Sequence, residues 1–593
     1  MKRSLVRASR WVGGCVALAG ACFSAVAAPL ELTGQPLGVE QVVAVAAGLQ
    51  PVSVQPAARA RVTQGFEVVL AAARAGMPVY GLTTGVGWNK DRQALVKNGA
   101  LDPDLLTASQ RFNIGTLRAH AAAVGPWLPD DAVRAAMVLR LNLLLSGAAG
   151  VQPAVADQYA AFLNAGITPL VPARGSIGEA DILQSSHIGL ALAGEWQVRW
   201  RGERLPAAVA LQRAGLKPVQ LVGKDFLSII GDNSLMLGRA ALVLHGARQW
   251  LDRETVVFAL SLEGLNGNVA PFLEASVAAR PRPGFVAAAA QLRNALVGSA
   301  LWQADDARPL QDPLSFRTMP HVLGNARAAL EAAEDEFAFE SAHSGDNPQV
   351  MLSAGTLTAG AATTASQSAR YLVPGTSAAI VPAASFEALP VVAALERLSL
   401  ALAHVASSVA STVYRFENPE ITHLPRFLTA PGNPGHGFGA VQKSVAALTT
   451  EIRSLALPVS LDEATLAGNI EDKTNNAPLT VQRLQEIVDL LYPLASLQLL
   501  HAAQAVDLRP GFKQGSQTQA LQWAYRARVP FVAQDRILSP DIEAGAQLLR
   551  EGWPGVAGVA SVAGLTSAAG VTSGAVLSTS ASKPVAIAGA VHE

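Results

Sequence analysis

The chain has 593 residues, of which 50% are hydrophobic and 15% are charged, and its formal net charge is +0. A chain of this length can bury a large core, and without a basic excess it lacks the electrostatic signature of a nucleic-acid-binding protein. Its Ala- and Leu-rich, strand-poor composition predicts one large helical unit rather than several domains.

The N-terminus has the three parts of a secretory signal. Lys2 and Arg3 begin a positive region, Trp11 to Ser24 is a short apolar run, and Ala25-Val26-Ala27 is a small-x-small cleavage site. The apolar run is too short to span a membrane. We therefore predict a signal peptide over residues 1–27 and a periplasmic or secreted mature protein with no membrane anchor after cleavage. An uncleaved anchor and a misassigned start codon are the alternatives.

The two cysteines, Cys15 and Cys22, both lie inside the predicted signal peptide. The mature chain would then have no disulfide, no thiolate nucleophile and no cysteine-based metal site. No other cluster of candidate ligands has a recognisable spacing, so we predict no metal site.

Helical periodicity dominates the rest of the chain. Apolar spacing predicts helices over these ranges: Val42–Ala47, Val62–Ala75, Asp104–His120, Asp130–Leu145, Ala154–Leu163, Ile182–Leu192, Asn233–Arg253, Val286–Ala300, Val322–Phe339, Phe386–Val413, Val441–Leu455 and Val481–Val506. A small hairpin is expected at Trp196–Arg201. Long helices side by side predict an all-α bundle.

Domain boundaries follow from composition. Residues 28–553 form one predicted helical domain, and residues 554–593 are a low-complexity Ala, Gly, Ser and Val extension. Long apolar runs such as Leu398–Val413 carry polar residues along their length, so we predict no later membrane helix.

Two motifs identify the chain as similar to a known family. One is the loop Tyr80-Gly81-Leu82-Thr83-Thr84-Gly85-Val86-Gly87, whose glycines let the backbone take left-handed angles and close over a ligand. The other is Arg174-Gly175-Ser176-Ile177-Gly178-Glu179-Ala180-Asp181, which continues to His187. Both resemble motifs of the aromatic amino-acid ammonia-lyases, histidine ammonia-lyase above all. The resemblance covers roughly residues 35 to 550 and implies a long-helix bundle of the aspartase/ammonia-lyase type, a homotetramer with active sites where subunits meet, and an amino-acid-like substrate.

The second motif departs from the family at its cofactor. The family reads Gly-Ser-Val-Gly-Ala-Ser-Gly-Asp, and its Ala-Ser-Gly triad cyclises and loses water to form the electrophile MIO (4-methylideneimidazol-5-one). Here Glu179-Ala180-Asp181 follows Gly178, and the stretch to His187 is one residue shorter. Ala180 has no hydroxyl to lose, and no glycine follows it. We therefore predict that MIO does not form and that the protein has no cofactor. His343-Ser344-Gly345-Asp346 is the alternative triad, in a different motif.

The resemblance implies roles for several further residues. Tyr80 would be the base that removes the substrate's β-proton, and a tyrosine with a pKa near roughly 10 must have that pKa tuned down for this role; a core tyrosine with a satisfied hydroxyl is the alternative. In Gln311-Asp312-Pro313-Leu314-Ser315-Phe316-Arg317, Arg317 would clamp the substrate carboxylate, or form a structural salt bridge. Asn142 matches an asparagine near the family's cofactor, or is a buried helix amide.

The remaining candidates also come from matched motifs. His343 and Asn347 lie in a segment, residues 340–348, that resembles Glu-x-Asn-Ser-x-x-Asp-Asn-Pro; His343 makes it titratable near neutral pH, and Asn347 is also a typical turn residue. His120 and Glu471 stand where histidine ammonia-lyases select their substrate, and a glutamate there can accept a ring N–H. Alternatively, His120 caps a helix end and Glu471 pairs with Lys473.

Two acidic residues are new relative to the family. Glu179 and Asp181 precede the helix that leads to His187, where carboxylates are favourable at the helix N-terminus. Capping is one reading. The other is catalytic: one of them replaces MIO as the group that binds the substrate amine. Three hypotheses follow, namely a lyase-type enzyme that works without MIO, a catalytically inactive amino-acid-binding pseudoenzyme, and a structural envelope protein.

Overall fold

The computed structural model describes residues 27–97, 100–101, 104–355 and 369–554. The predicted signal peptide up to Val26, both cysteines, and the predicted tail from residue 555 onward lie outside the described residues.

Helices make up most of the described chain, so the predicted all-α class is confirmed. In chain order the helices are α1 Val39–Ala46, α2 Pro56–Arg74, α3 Leu105–His120, α4 Asp130–Leu144, α5 Pro153–Ala165, α6 Ile182–Leu192, α7 Ala207–Arg213, α8 Asp225–Ile230, α9 Ser234–Leu265, α10 Glu274–Ala278, α11 Pro283–Ala295, α12 Leu314–Arg317, α13 Met319–Glu340, α14 Leu389–Phe416, α15 Pro419–Thr422, α16 Gln442–Leu455, α17 Ala477–Asp507, α18 Ser516–Arg526 and α19 Ser539–Glu551.

The strands are short and lie at the edges of the bundle. They are β1 Leu30–Leu32, β2 Val52–Val54, β3 Val96–Lys97, β4 Ala100–Leu101, β5 Val124–Trp127, β6 Thr168–Pro169, β7 Pro172–Arg174, β8 Gln197–Trp200, β9 Glu203–Pro206, β10 Gln349–Met351 and β11 Ala379–Val381. β8 and β9 form the antiparallel hairpin expected near Trp196–Arg201, and β6 pairs with β8. β1 and β2 are parallel, whereas β10 with β11, β3 with β4 and β5 with β7 are antiparallel pairs.

The long helix α9 forms the centre of the bundle. It packs against α4 on one side and α17 on another, and α14 packs against both α13 and α17. Most α9 residues are buried around its whole circumference, which is the pattern of a helix inside a large core. The predicted end at Arg253 was wrong: α9 continues to Leu265, because Arg253 and Glu254 are buried rather than exposed. Arg253 donates to Tyr492 Oη at 3.3 Å.

Two helical stretches are long and apolar enough to cross a membrane by length and composition. They are Asp225–Leu265, whose most apolar window is 83% buried inside the protein, and Leu389–Phe416, whose window is 56% buried. A buried core helix passes the same test, which accounts for the first of them. Although Leu398–Val413 contains polar residues, α14 is still apolar enough on average to be counted among these two stretches.

Candidate functional site

A buried ion-pair cluster fixes one end of the bundle. Arg140, on α4, lies 2.7 Å from Asp232 and 2.9 Å from Asp346, and all three side chains are 1–2% exposed. Arg140 also donates to Ser228 O at 2.8 Å. Two carboxylates and a carbonyl satisfy the guanidinium, whose fork geometry suits such an arrangement. The cluster therefore ties α4 to the loops that precede α9 and follow α13.

The motif loop Gly175–Asp181 lies on this cluster. Asp181 N donates to Asp232 O at 2.7 Å, and Ala180 N donates to Asn233 Oδ1 at 3.1 Å. On its other side, a Cβ atom on Gly178 would lie 1.8 Å from Asn475 Oδ1, so only glycine fits there. Ala180 has a φ of 100°, a conformation that favours glycine and strains an alanine.

Asp181 acts as a cap, but for a different helix from the one expected. Its carboxylate accepts from Leu235 N at 3.0 Å and Met236 N at 2.9 Å, in the first turn of α9, and makes no capping hydrogen bond to α6. The side chain is 1% exposed, and burial raises its pKa to about 6 against the effect of these hydrogen bonds. The expected cap on α6 is corrected to a cap on α9. The same contacts leave the side chain turned away from solvent, so Asp181 is not part of the reaction proposed below.

Glu179 is half-buried and faces a second carboxylate that the sequence did not single out. Asn475 Nδ2 donates to Glu387 Oε1 at 2.7 Å and to Glu179 Oε1 at 3.5 Å. Burial and the neighbouring Glu387 together raise the pKa of Glu179 to about 7, against the opposing effect of Lys473. At neutral pH this carboxyl group therefore exchanges its proton readily. The only sequence signal for Glu387 was its place in Ser385-Phe386-Glu387, which departs from the family's Asn-Phe-His.

Tyr80 and Glu471 lie beside each other. Gly87 N donates to Tyr80 Oη at 2.7 Å, and Glu471 Oε1 lies 3.8 Å from the position that a Cβ atom would take on Gly87. Burial raises the pKa of Tyr80, the Gly87 hydrogen bond lowers it, and Glu471 raises it. Glu471 does not pair with Lys473, which instead donates to Glu463 at 2.5 Å. The predicted base and the predicted substrate-selecting carboxylate therefore lie near each other, but the pKa of Tyr80 is raised, mainly by burial, and not lowered as the role of a base requires.

The loop from residue 462 to residue 477 connects these two groups. It carries Glu471 next to Tyr80 and, four residues later, Asn475 next to Glu179. Trp88 lies over the backbone of the same loop: a Cβ atom on Gly468 would be 2.5 Å from its ring. The indole is 76% exposed. One loop thus lines both halves of the candidate site.

His120 and the 340–348 segment approach the site from two other directions. His120 ends α3, its Nδ1 lies 2.8 Å from Thr116 O, and Ala123 shortly after it contacts Gly175. His343 is exposed and stacks on Phe339, with ring centroids 4.0 Å apart. Asn347 Oδ1 accepts from Ala383 N at 2.9 Å, which holds the turn close to the strand that leads to Glu387.

Asn142 has a structural role in this arrangement. Its side chain is fully buried, accepts from Gly34 N at 3.0 Å, and donates to Gln35 O and Ser341 O, each at 2.9 Å. The side-chain oxygen and the side-chain NH2 group of Asn142 are therefore both hydrogen-bonded to backbone groups. Of the two readings that the sequence left open, the structure favours the buried helix amide.

Arg317 lies far from the other candidates. It stands just before α13, a helix of 22 residues that is about 33 Å long. The opposite end of α13 leads to Gly345, which contacts Ser385 and Phe386 next to Glu387. Arg317 Nε is buried and has no hydrogen-bond partner among the described residues. Arg317 of one chain therefore cannot clamp a substrate that lies between Tyr80 and Glu179 of the same chain.

The described residues contain no group of three or more His, Cys, Asp or Glu side chains that could hold a metal ion.

Comparisons with known proteins give consistent results. The family model "Aromatic amino acid lyase" matches residues 37–527. A histidine ammonia-lyase from Anaeromyxobacter sp. (strain K) is 33% identical over 534 residues, which cover 88% of this chain and 99% of the relative. The crystal structure of the ergothioneine-degrading enzyme ergothionase from Treponema denticola, in complex with desmethyl-ergothioneine sulfonic acid, is 35% identical with a TM-score of 0.80, and covers 88% of this chain and 99% of that one. Tyrosine aminomutase from Streptomyces globisporus is 28% identical with a TM-score of 0.77, over 88% of this chain and 97% of that one.

Proposed function

The chain belongs to the aromatic amino acid lyase family, and from this premise we propose that it is a carbon–nitrogen lyase that releases an amine from an amino-acid-like substrate without MIO. The observation that carries the proposal is the loop of residues 462–477, which brings Glu471 to Tyr80 and Asn475 to Glu179. A ring-binding group, a base and an amine-binding group thereby line one end of the bundle.

The residues at the cofactor position do not fit MIO. Cyclisation requires a backbone nitrogen that is free to attack the carbonyl two residues earlier, and dehydration requires a hydroxyl. The N–H of Asp181 already donates a hydrogen bond to Asp232 O, and Ala180 has a methyl group where a hydroxyl is required. These two features support the proposal that the reaction proceeds without this electrophile.

We assign the substrate amine to Glu179. Its carboxyl group occupies the loop in which the family builds its electrophile, and it is half-buried beside Glu387. A carboxylate binds a cationic nitrogen well, but it cannot withdraw electrons from it. The leaving group must therefore be good without covalent activation.

A betaine fits this requirement better than a primary amino acid. A quaternary nitrogen has no lone pair to add to an electrophile, carries a permanent positive charge and leaves as a neutral amine. Ergothioneine, the trimethylammonium betaine named for the relative from Treponema denticola, has these properties together with an imidazole-type ring for Glu471. Histidine, named for the relative from Anaeromyxobacter, shares the ring and is the second candidate.

The proposed step is an elimination. The Tyr80 phenolate takes the proton from the substrate's β-carbon, and that C–H electron pair forms the Cα–Cβ double bond. The Cα–N bond breaks, and its electron pair leaves with the amine. Each atom and electron is accounted for without an oxidant or a metal.

We propose that a second copy of the chain supplies Arg317 to the carboxylate. The length of α13 keeps this residue away from Tyr80 of its own chain, and its guanidinium Nε lacks a partner. A homotetramer, as the family resemblance implies, would bring the two halves together.

The experiment combines a mass measurement with product analysis. The tryptic peptide Gly175–Arg199 is weighed, and the protein is incubated separately with ergothioneine and with histidine while amine release and the conjugated product are followed. We expect an unmodified peptide, trimethylamine from ergothioneine, and loss of turnover in Tyr80→Phe. A peptide lighter by two water molecules would contradict the proposal, and so would the absence of product from both compounds, which would favour a binding protein.

A further inference from the structure

Glu471 and Tyr80 are separated by a single glycine. The amide of Gly87 donates to Tyr80 Oη at 2.7 Å, and Glu471 Oε1 lies 3.8 Å from the Cβ position of the same residue. Gly87 has a φ of 55°, which favours glycine. A short β-bridge between Glu471 and Leu466 fixes the backbone of Glu471 at this point of the loop.

We propose that Glu471 is a positioning residue that couples binding of the substrate ring to ionisation of Tyr80. This inference rests on the proposed function, and it adds a second task to the residue that binds the ring. While the site is empty, the carboxylate adds to the burial that keeps the tyrosine protonated. When a ring N–H or a positive charge binds to Glu471, this added effect is removed and the phenolate fraction of Tyr80 increases.

The groups around the hydroxyl support this coupling. Burial is the main cause of the raised pKa of Tyr80, the Gly87 amide lowers this pKa by stabilising the phenolate, and the nearby charge of Glu471 raises it. Lys473, on the same loop, pairs with Glu463 and acts on Glu387 and Glu179 instead. Lys90 pairs with Asp91 next to the Tyr80 loop. A cation from the substrate is therefore the available counter-charge for Glu471.

The coupling predicts a form of specificity that affects turnover. A substrate with a donor on its ring neutralises Glu471 and activates the base. A phenyl ring of similar size enters the same space but leaves the carboxylate charged and the pKa of Tyr80 at its higher value. Such a compound should be turned over about tenfold more slowly.

Spectroscopic titration of Tyr80 tests the proposal without turnover. The chain has six tyrosines, so phenolate absorbance is recorded against pH for the full-length protein and for Tyr80→Phe, and the difference isolates Tyr80. Glu471→Gln is compared with the matched control Glu463→Gln, which removes one charge from the same loop that does not act on the pKa of Tyr80. We expect Glu471→Gln to move the midpoint down by about one pH unit, roughly tenfold in phenolate fraction, and Glu463→Gln to leave it in place.

A second measurement needs no variant at position 471. Imidazole, used as the probe, should lower the Tyr80 midpoint in the unsubstituted protein, and toluene should not. Equal midpoints for Glu471→Gln and Glu463→Gln, or no effect of imidazole, would overturn the coupling even if ergothioneine or histidine is turned over. Conversely, a shifted midpoint without any product would retain the coupling and refute the proposed reaction.

Discussion

Arg140 and Asp346 form an ion pair of 2.9 Å between residues that are 206 positions apart in the chain, and each side chain is almost completely buried. Asp232 binds the same guanidinium from the opposite side. The pair joins the loop after α13 to α4, and Asp232 accepts the Asp181 amide of the motif loop. The motif loop of the candidate site is thus anchored to a buried ion-pair cluster inside the bundle.

Loss of the Arg140 charge should destabilise the protein strongly. Arg140→Met leaves two buried carboxylates without a counter-ion, and breaking a buried pair in this way costs about 3–5 kcal/mol. Denaturant unfolding measures the change. The matched control is Arg59→Met, which breaks the half-exposed pair with Asp157 and should cost about 0–1 kcal/mol. Equal losses for the two variants would contradict a supporting role for Arg140.

Replacement of Ala180 by glycine should stabilise the protein. Ala180 has a φ of 100°, and a non-glycine residue there stores about 1–3 kcal/mol of strain. Glycine releases the strain but costs about 0.5–1 kcal/mol of chain entropy, so we expect a net gain of about 1 kcal/mol in the free energy of unfolding. Ala60→Gly, on the exposed face of α2, should have the opposite sign. A loss for both variants would show that the strain is absent.

Stability should fall in acid because of His187. Its ring lies 4.5 Å from that of Trp196, neither nitrogen has a partner among the described residues, and burial lowers its pKa to about 4. The unfolded chain binds a proton below roughly pH 6.5, whereas the folded protein does so only below about pH 4. The contribution of neutral His187 to the free energy of unfolding is therefore fully present above pH 6.5, and up to about 3 kcal/mol of it is lost as the pH falls to 4.

The variant His187→Phe isolates this contribution. It keeps an aromatic ring against Trp196 and cannot take up the proton. The free energy of unfolding of the unsubstituted protein relative to that of His187→Phe should decrease steadily from pH 6.5 to 4, and a constant difference over that range would refute the assignment.

The decrease of kcat/KM at acidic pH should depend on Glu387. Burial and Glu387 raise the pKa of Glu179 to about 7, and Lys473 lowers it. A cationic substrate binds the ionised form, so kcat/KM should decrease as the pH falls through about 7. Glu387→Gln should move this decrease to lower pH by about one unit, and Lys473→Gln should move it to higher pH. Shifts in the same direction would exclude Glu179 as the titrating group.

Periodicity predicted most of the long helices because amphipathic or buried helices repeat their pattern many times, but it missed α18 and α19, of 11 and 13 residues, and short helices such as α8. Ile182–Leu192 was predicted with both ends correct, and α16 was predicted one residue too long at its start. The end of α9 was missed because Arg253 and Glu254 resemble surface residues in a sequence. Their partners lie on α17, more than 200 residues away, and periodicity contains no information about them.

The candidate site was predictable only where a motif carried it. The Tyr80 loop, Glu179 and Glu471 came from local patterns, and the structure places them at one end of the bundle. Glu387, Asn475 and Arg140 belong to the same region through contacts across 88 residues or more, which no local pattern reveals. A charged residue between apolar neighbours in the helix Asp130–Leu144 was the available signal for Arg140, and Arg134 of the same helix gave the same signal.

The length of α13 also has a genetic consequence. About 33 Å of helix separates Arg317 from the end of the bundle that carries Glu179 and Glu387 in its own chain. An inactive Tyr80→Phe chain therefore still carries an intact arginine, and an inactive Arg317→Gln chain still carries an intact base. On the proposal that a second copy of the chain supplies Arg317, co-expression of the two should restore a fraction of complete sites by intragenic complementation, whereas either chain alone should stay inactive. Dilution to single chains should then abolish activity in the unsubstituted protein.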